Sequence, residues 1–273
     1  GEAYQLEVNS TGIVIKASTD AGAFWAVQSL KQYIWNSVKG QKNSSFQLQG
    51  IQITDEPKYE WRGFHLDVSR HMFTKEYLLK IIDWLAYYKF NKFHLHLTDD
   101  QGWRIESKKL PLLNEVGSWR IFDRNDSICM RKAKTNSAFE IDPRFIKVRN
   151  GKTVYGGFYT QEDLKEIIAY AANHFIEIIP EIDMPGHMSA AIRAYPRLSC
   201  TGTAGWGTEF SYPVCPCSNE TIDFTFQIWD EIADLFPSKY VHIGADEVEK
   251  DTWKSSATCA AFMKANNLKN ANE

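Results

Sequence analysis

The 273-residue chain lacks a hydrophobic run approaching the roughly 20 apolar residues of a membrane-spanning helix, and it lacks any long block of like charge. Its 34 acidic and 31 basic residues leave a formal net charge of −3. Neither a nucleic-acid partner nor a membrane span is therefore expected. The chain opens on GEAYQLEVNS, without the charged and then apolar pattern of a secretory leader, so we expect any leader to have been removed.

Cysteine is also scarce, with five residues that do not fall at zinc-site spacing. No metal site and no cofactor are therefore predicted. Cys200 could close a small disulfide loop with either Cys215 or Cys217 in an oxidising compartment, and buried free thiols are the alternative. The glycosylation acceptor pattern, which is short enough to arise by chance, occurs four times. It is found at Asn9, Asn43, Asn125 and Asn219.

Residues 1–55 have the pattern of a small α+β domain. Two short apolar runs in residues 4–16 flank the turn-forming sequence Asn9-Ser10-Thr11-Gly12, which indicates a hairpin. Asp20 then precedes a segment with apolar residues at helical spacing, and residues 46–53 return to strand-like alternation. The order is β-β-α-β.

Residues 56–273 change to alternating strands and helices and are predicted to be the catalytic domain. Helices are predicted after Thr74, after a Thr160–Asp163 capping box and around Phe224. Such alternation predicts an α/β fold with a parallel sheet, either doubly wound or closed as a (β/α)8 barrel. The predicted strands are residues 64–68, 92–98, 175–183 and 240–244.

The barrel is favoured because each predicted strand ends in polar side chains, and active sites of such barrels lie at the carboxyl ends of the strands. Four strands are half of a barrel, so we expect the domain to be truncated at its carboxyl terminus. Residues 119–155, poor in periodicity, are predicted to be a long loop at the site rim or a disordered excursion. The strand-end groups are Asp67 to His71, Thr98 to Asp100, Glu181 to Asp183 with His187, and Asp246-Glu247.

The adjacent carboxylates of Asp246 and Glu247 are the first candidates for chemistry. Their repulsion should raise the proton affinity of at least one, as a general acid requires. The structural alternative is an acidic pair that stabilises the start of the next helix. The other strand-end groups favour the catalytic interpretation, because they could converge on the same pocket.

Further strand-end side chains could bind the hydroxyl groups of a ligand or order the site. The guanidinium of Arg70 could hold adjacent hydroxyls or pair with a carboxylate such as that of Asp99. Asp99 and Asp100 could bind hydroxyls or order a turn. His187 follows Pro185-Gly186, and Asp183 would be a natural partner to orient its ring.

His94 and His96 form a rival pattern. Alternation along a strand places both rings on one face, as in metal-dependent amidohydrolases. That pattern belongs on the first barrel strand, whereas these histidines lie on the second, so the amidohydrolase remains an alternative only.

Five motifs carry a resemblance to the family 20 glycoside hydrolases over about residues 55–255. Residues 1–55 also resemble the small domain that precedes the barrel in that family. The motifs are RGFHLDVSRHMF, KFNKFHLHLTDDQGWRIE, GGFYTQEDLKEIIAYA, EIIPEIDMPGH and HIGADEV.

The resemblance implies a β-N-acetylhexosaminidase that removes terminal N-acetylglucosamine or N-acetylgalactosamine, with the substrate's own acetamido group as nucleophile. It implies that Glu247 is the general acid and base and that Asp246 orients the acetamide. Sugar binding would fall to Arg70, and the supporting network to Asp99, Asp183 and His187.

Two departures from the family pattern bear on this expectation. First, Ala245 stands where the family usually has the second of two glycines before the Asp-Glu pair. Second, this sequence does not contain the tryptophans and the tyrosine by which the later barrel strands of the family surround the acetamide. A non-catalytic carbohydrate-binding relative is therefore a further alternative. The resemblance implies a secreted, periplasmic or lysosomal location, and the sequence leaves homodimer formation open.

Overall fold

The structure is a computed structural model that describes residues 1–39, 46–205 and 211–273. The acceptor pattern at residues 43–45 lies outside the described residues. The chain divides into two compact units. One comprises residues 1–65, 75–94 and 166–178, and the other comprises residues 66–74, 95–165 and 179–273.

The first unit contains a three-stranded antiparallel sheet. Strands β1 (Tyr4–Asn9), β2 (Gly12–Ala17) and β3 (Ile51–Asp55) lie in the order β2-β1-β3. Side chains alternate along β1, so Tyr4, Leu6 and Val8 are buried while their neighbours face solvent. The predicted hairpin is confirmed, and the third strand begins at Ile51 instead of residue 46.

Helix α1 (Asp20–Val38) packs against this sheet and buries Trp25 and Ala26. Its capping residue is Thr19, whose Oγ1 accepts a hydrogen bond from the backbone N of Gly22 at 3.2 Å, so Asp20 is the first helical residue. Helix α2 (Lys75–Tyr87) follows Thr74 as predicted and buries Leu78 and Ile82.

The next strands carry the site residues. Strand β4 (Gly63–Asp67) precedes α2, and β5 (Lys92–Asp99) follows it. A tight turn then leads into β6 (Gly102–Trp103), which pairs antiparallel with the end of β5.

Residues 119–155, predicted to be a long loop or a disordered excursion, contain regular secondary structure. They contain β7 (Trp119–Ile121), α3 (Arg124–Ala133), β8 (Ile146–Arg149) and β9 (Lys152–Gly156), with a sheet in the order β7-β9-β8. Two local sequence signals explain why these residues form a helix and a hairpin. A capping box of Asp123 and Asp126 starts α3, and Asn150-Gly151, both at positive φ, close the β8–β9 hairpin.

Helix α4 (Gln161–Asn173) begins with the predicted capping box, since Thr160 Oγ1 accepts from Asp163 N at 3.0 Å and Asp163 Oδ2 accepts from Thr160 N at 3.1 Å. Strand β10 (Glu177–Ile182) completes the larger sheet, in the order β10-β5-β4. Helices α5 (Ser189–Ala194), α6 (Asn219–Leu235), α7 (Asp251–Ser255) and α8 (Ala257–Ala265) follow.

The predicted strand at residues 240–244 is wrong, because the segment makes only a parallel bridge between His242 and Glu181. His242 N donates to Pro180 O at 2.9 Å and Ile182 N donates to His242 O at 3.2 Å. The next bond of a regular ladder would need an N–H on Pro180, which proline lacks. Val241 and Ile243 are about half exposed.

The cysteine expectation is confirmed in one of its two forms. Cys200 pairs with Cys215, while Cys217 and Cys259 remain thiols in the same small apolar cluster. Across the residues that the structure describes, no helix combines the length and apolar character needed to cross a bilayer.

Candidate active site

The turn after β4 positions Arg70. Asp67 Oδ1 accepts hydrogen bonds from the backbone N of Ser69 at 2.9 Å and of Arg70 at 3.0 Å. The guanidinium then reaches Asp99 Oδ2 at 2.6 Å from Nη2 and Asp67 Oδ2 at 3.0 Å from Nη1. The expected ion pair of Arg70 with Asp99 is present, and 43% of the Arg70 side chain stays exposed, which leaves donors free to face a ligand.

Asp99 at the end of β5 is almost fully buried and has several donors around it. Its Oδ1 accepts from the backbone N of Asp100 at 2.6 Å, and its Oδ2 lies 2.9 Å from His96 Nε2. Burial opposes ionisation, but the interactions with His187, His96 and Arg70 outweigh it and lower the pKa of Asp99 below its ordinary value. Asp99 is therefore an ionised, fixed carboxylate.

His187 links this carboxylate to Glu247. Its Nδ1 lies 3.3 Å from Asp99 Oδ1 and 3.3 Å from Asp100 Oδ2, and its Nε2 lies 3.4 Å from Glu247 Oε2. The contacts at Nδ1 have ion-pair distances without hydrogen-bond angles. Asp100 and Asp99 raise the pKa of His187 well above its ordinary value despite burial, so the ring is a cation.

The partners of His187 differ from the sequence prediction. Asp183 was expected to orient the ring, but the short contacts come from Asp99 and Asp100. Asp183 instead accepts a hydrogen bond at Oδ1 from the backbone N of Ala245 at 3.0 Å. It still belongs to the site, since side-chain atoms of Asp183, His187 and Asp246 lie within 4.8 Å of one another.

Asp183 is the carboxyl group with the raised proton affinity. Burial is the main cause, and the nearby charges of Asp246 and Asp99 add to it against the hydrogen bond from Ala245, so the pKa of Asp183 rises to about 7. A carboxyl that is partly protonated at neutral pH can donate a hydrogen bond as well as accept one.

Asp246 and Glu247 lie on an irregular segment. Gly244, Ala245 and Glu247 have φ values of +65°, +72° and +50°. Both acidic side chains are exposed, with 51% of the Glu247 side chain accessible. This backbone places two carboxylates on a surface that a substrate can reach.

The helix-start interpretation of the Asp-Glu pair is wrong, because α7 begins only at Asp251. Glu249 serves that helix instead, and its carboxylate accepts hydrogen bonds from the backbone N of Asp251 and of Thr252. The pair is thus not explained by capping.

Sequence reasoning assigned no role to Glu181 and gave His96 only a metal-binding alternative. The Glu181 carboxylate lies 3.0 Å from His96 Nδ1, while Asp99 occupies the other ring nitrogen. Against the opposing effect of burial, Asp99 and Glu181 raise the pKa of His96 to about 9. Both ring nitrogens of His96 thus lie at ion-pair distance from a carboxylate.

Comparison with known proteins places the chain in a family. The sequence model of glycosyl hydrolase family 20, catalytic domain, matches residues 59–273, and that of glycosyl hydrolase family 20, domain 2, matches residues 1–56. A beta-hexosaminidase of Porphyromonas gingivalis is 38% identical over 279 residues, which cover 100% of this chain and 32% of that protein. The beta-hexosaminidase subunit alpha of Rattus norvegicus is 33% identical, over 96% of this chain and 43% of that protein.

Solved structures of proteins from the same family are also similar to this chain. The GH20 exo beta-N-acetylglucosaminidase from Vibrio harveyi in complex with N-acetylglucosamine matches with a TM-score of 0.78 and 34% identity, over 99% of this chain and 40% of that one. A beta-N-acetylhexosaminidase from Bacteroides fragilis matches with a TM-score of 0.76 and 33% identity, over 98% and 47%.

The chain is an α/β protein with carboxylates and imidazoles gathered near strand ends. The chain belongs to glycosyl hydrolase family 20. It spans about a third of the length of the Porphyromonas relative and less than half of that of the rat relative.

Proposed function

We propose that the protein is a retaining exo-glycosidase that removes terminal β-linked N-acetylglucosamine or N-acetylgalactosamine. The observation that carries the proposal is the arrangement of Glu247, exposed and 3.4 Å from His187, beside Asp246 in a chain of this family. The relatives are named as hexosaminidases, and one as N,N'-diacetylchitobiase.

In the proposed first step, the carbonyl oxygen of the substrate's acetamido group attacks the anomeric carbon. The bond from that carbon to the leaving oxygen breaks, and Glu247 gives its proton to that oxygen. The product is an oxazolinium ring. In the second step Glu247 takes a proton from water, whose oxygen attacks the same carbon and reopens the ring with retained configuration. An intramolecular nucleophile can supply an effective molarity of roughly 10⁵ M or more.

Asp246 has the electrostatic role in this scheme. Its carboxylate accepts a hydrogen bond from the acetamide N–H and stabilises the positive charge that develops there. The Asp183 carboxyl group lies within 4.8 Å of that of Asp246, and its pKa of about 7 lets it carry a proton beside the Asp246 carboxylate.

The remaining site residues would bind the sugar. Arg70 retains accessible donors for the non-reducing-end hydroxyls, while Asp99 fixes the guanidinium and His187. We place residues 1–55 in a small α+β domain and residues 56–273 in about the first half of a (β/α)8 barrel. The Cys200–Cys215 disulfide supports a secreted, periplasmic or lysosomal location.

The test is release of 4-nitrophenol from its β-N-acetylglucosaminide by the natural full-length protein. Glu247→Gln should lower kcat/KM by roughly 10²-fold to 10⁴-fold because it removes the proton-transfer group. Asp246→Asn should lower kcat more than it raises KM. The rate of the wild type should also fall when the N-acetyl group of the substrate is replaced by the less nucleophilic N-trifluoroacetyl group.

Glu249→Gln is the matched control, because Glu249 is a nearby carboxylate that caps α7 and should leave kcat unchanged. If the wild type binds N-acetylglucosamine yet releases no 4-nitrophenol, the carbohydrate-binding alternative replaces the enzyme. Near-normal rates for Glu247→Gln would overturn the assignment of the general acid.

A further inference from the structure

His96 lies on β5, is 4% exposed, and has a carboxylate at each ring nitrogen. Asp99 Oδ2 is 2.9 Å from Nε2 and Glu181 Oε2 is 3.0 Å from Nδ1. Glu181 lies on β10 and is itself 5% exposed, and its other oxygen is 3.1 Å from His242 Nδ1. The His96 imidazole thus bridges two buried carboxylates from neighbouring strands.

The charged groups around His96 favour its cationic form. Asp99 is on its own strand, Glu181 on β10, Asp67 at the end of β4 and Asp183 just after β10, all of them acidic. Arg70 Nη1, 3.1 Å from His96 Nε2, is the cation that faces it. The acidic groups prevail, since the pKa of His96 is raised to about 9 despite burial.

The bridge fixes the orientation of Asp99. Its Oδ2 is held between His96 and Arg70, so its Oδ1 is left for the backbone N of Asp100 and for His187. Without the imidazolium, Asp99 and Glu181 would be two buried carboxylates with one cation fewer between them. Asp99 could then rotate or take up a proton, and its contacts with Arg70 and His187 would loosen.

We propose that His96 and Glu181 form a positioning pair that holds Asp99, and through Asp99 both the sugar-binding Arg70 and the His187 that contacts Glu247. The inference rests on the proposed function. Neither side chain touches the reacting atoms. The pair acts indirectly. It keeps Arg70, which binds the sugar, and His187, which contacts Glu247, in position.

The test compares His96→Gln, Glu181→Gln and the control His174→Gln in the natural full-length protein. The readout is kcat/KM for 4-nitrophenyl β-N-acetylglucosaminide from pH 5 to pH 10, plotted as the ratio of variant to wild type. The ratio shows how each substitution changes the pH profile of the wild type. His174→Gln removes an imidazole that contacts Asp83 and the Tyr170 carbonyl oxygen and none of the site residues.

We expect His96→Gln to lower kcat/KM by roughly 10²-fold, the cost of displacing a catalytic group by about 1 Å. Glu181→Gln keeps the size of the side chain and an acceptor for the ring but removes a charge, which should lower the pKa of His96 by roughly one unit or more. Its ratio to wild type should therefore fall as the pH rises from 7 to 9, whereas the His174→Gln ratio should stay flat.

A flat ratio for Glu181→Gln, or rates within twofold of wild type for both site variants, would reduce the pair to a structural role and overturn the proposal. If His96→Gln fails to fold, Glu181→Gln decides. NMR of histidine ring carbons supplies a readout independent of activity, because the resonance that titrates near pH 9 should be missing in His96→Gln and shifted to lower pH in Glu181→Gln. A wild type without activity but with that resonance would reject the proposed function and keep the ion pair.

Discussion

Ala245 shows at the scale of one residue how the family pattern constrains this site. Its φ of +72° lies in the left-handed region that costs an ordinary L-residue about 1 to 2 kcal/mol. Its backbone N must donate to Asp183 Oδ1, so the conformation cannot relax without releasing that carboxyl group. The methyl group that Ala245 carries in place of a glycine therefore imposes backbone strain.

Ala245→Gly should therefore stabilise the protein by about 1 kcal/mol, measured as the free energy of unfolding in denaturant. Gly244→Ala is the opposed control, because Gly244 has φ +65° and an added Cβ would lie 1.9 Å from Asp183 Oδ1. It should destabilise the protein and lower kcat. Equal stability of Ala245→Gly and wild type would show that the strain is absent.

The residues of the site divide by how far a sequence can predict them. Asp99 and His187 lie at or after the ends of β5 and β10, and the Asp246-Glu247 pair follows a segment with a strand-like sequence, so alternation alone makes all of them candidates. His96 and Glu181 lie inside strands and matter because two strands are neighbours, which no single-sequence period specifies. The Asp99–His187 contact likewise depends on a turn after β10, so the sequence paired His187 with Asp183 instead.

Arg104 organises several elements of the second unit at once. It is fully buried, and all five hydrogen bonds found for its side chain within the described residues go to backbone carbonyls. The acceptors are Ser69 O at 2.8 and 3.1 Å, Ser118 O at 2.7 Å, Gly157 O at 3.0 Å and Gln101 O at 3.4 Å. These carbonyls belong to the turns after β4 and β5 and to the ends that flank β7 and β9, so one cation joins four chain segments.

Arg104→Lys should cost about 2 to 4 kcal/mol, because an ammonium has three donors and no planar fork to reach these carbonyls. It should also lower kcat/KM, since Ser69 precedes Arg70. The measurement is thermal unfolding together with kinetics. Arg144→Lys is the control, because Arg144 is exposed and its Nη2 lies 2.9 Å from Asp142 Oδ2. This substitution should change the free energy of unfolding by less than about 0.5 kcal/mol. A similar loss in both variants would deny Arg104 its special role.

Periodicity predicted the longer elements well because their apolar faces are continuous, as in α2, α4 and α6. It failed where pairing depended on a neighbour. The segment at residues 240–244 has a strand-like sequence, yet Pro180 opposite it cannot donate to a ladder. The prediction for residues 119–155 failed for another reason, because the short strands there carry few apolar residues. The sequence signals for their secondary structure were Asn150-Gly151 and the capping box at Asp123.

Across the whole molecule, the buried ionised cluster predicts how stability depends on pH. His96 and His187 have raised pKa values, so their contribution is complete below about 6.5 and is lost as the pH rises through the folded values, about 9 for His96. Asp99 and Asp100 have lowered pKa values, so their contribution is present above about 4 and is lost at lower pH. The pKa of Asp183 is raised to about 7, so this group lowers the stability of the fold further as the pH rises from about 4 to 7.

The three effects place maximum stability at about pH 4 to 5, because Asp183 already costs stability as the pH rises above about 4. For His96 alone the shift from 6.5 to about 9 corresponds to about 3 kcal/mol. The thermal midpoint should thus fall by roughly 5 to 10 °C between pH 6 and pH 9.5, followed by circular dichroism. In His96→Gln the midpoint should start lower at pH 6 and decline less, because the titrating ring is gone. An unchanged slope in that variant would mean that His96 is not the cation whose loss weakens the fold.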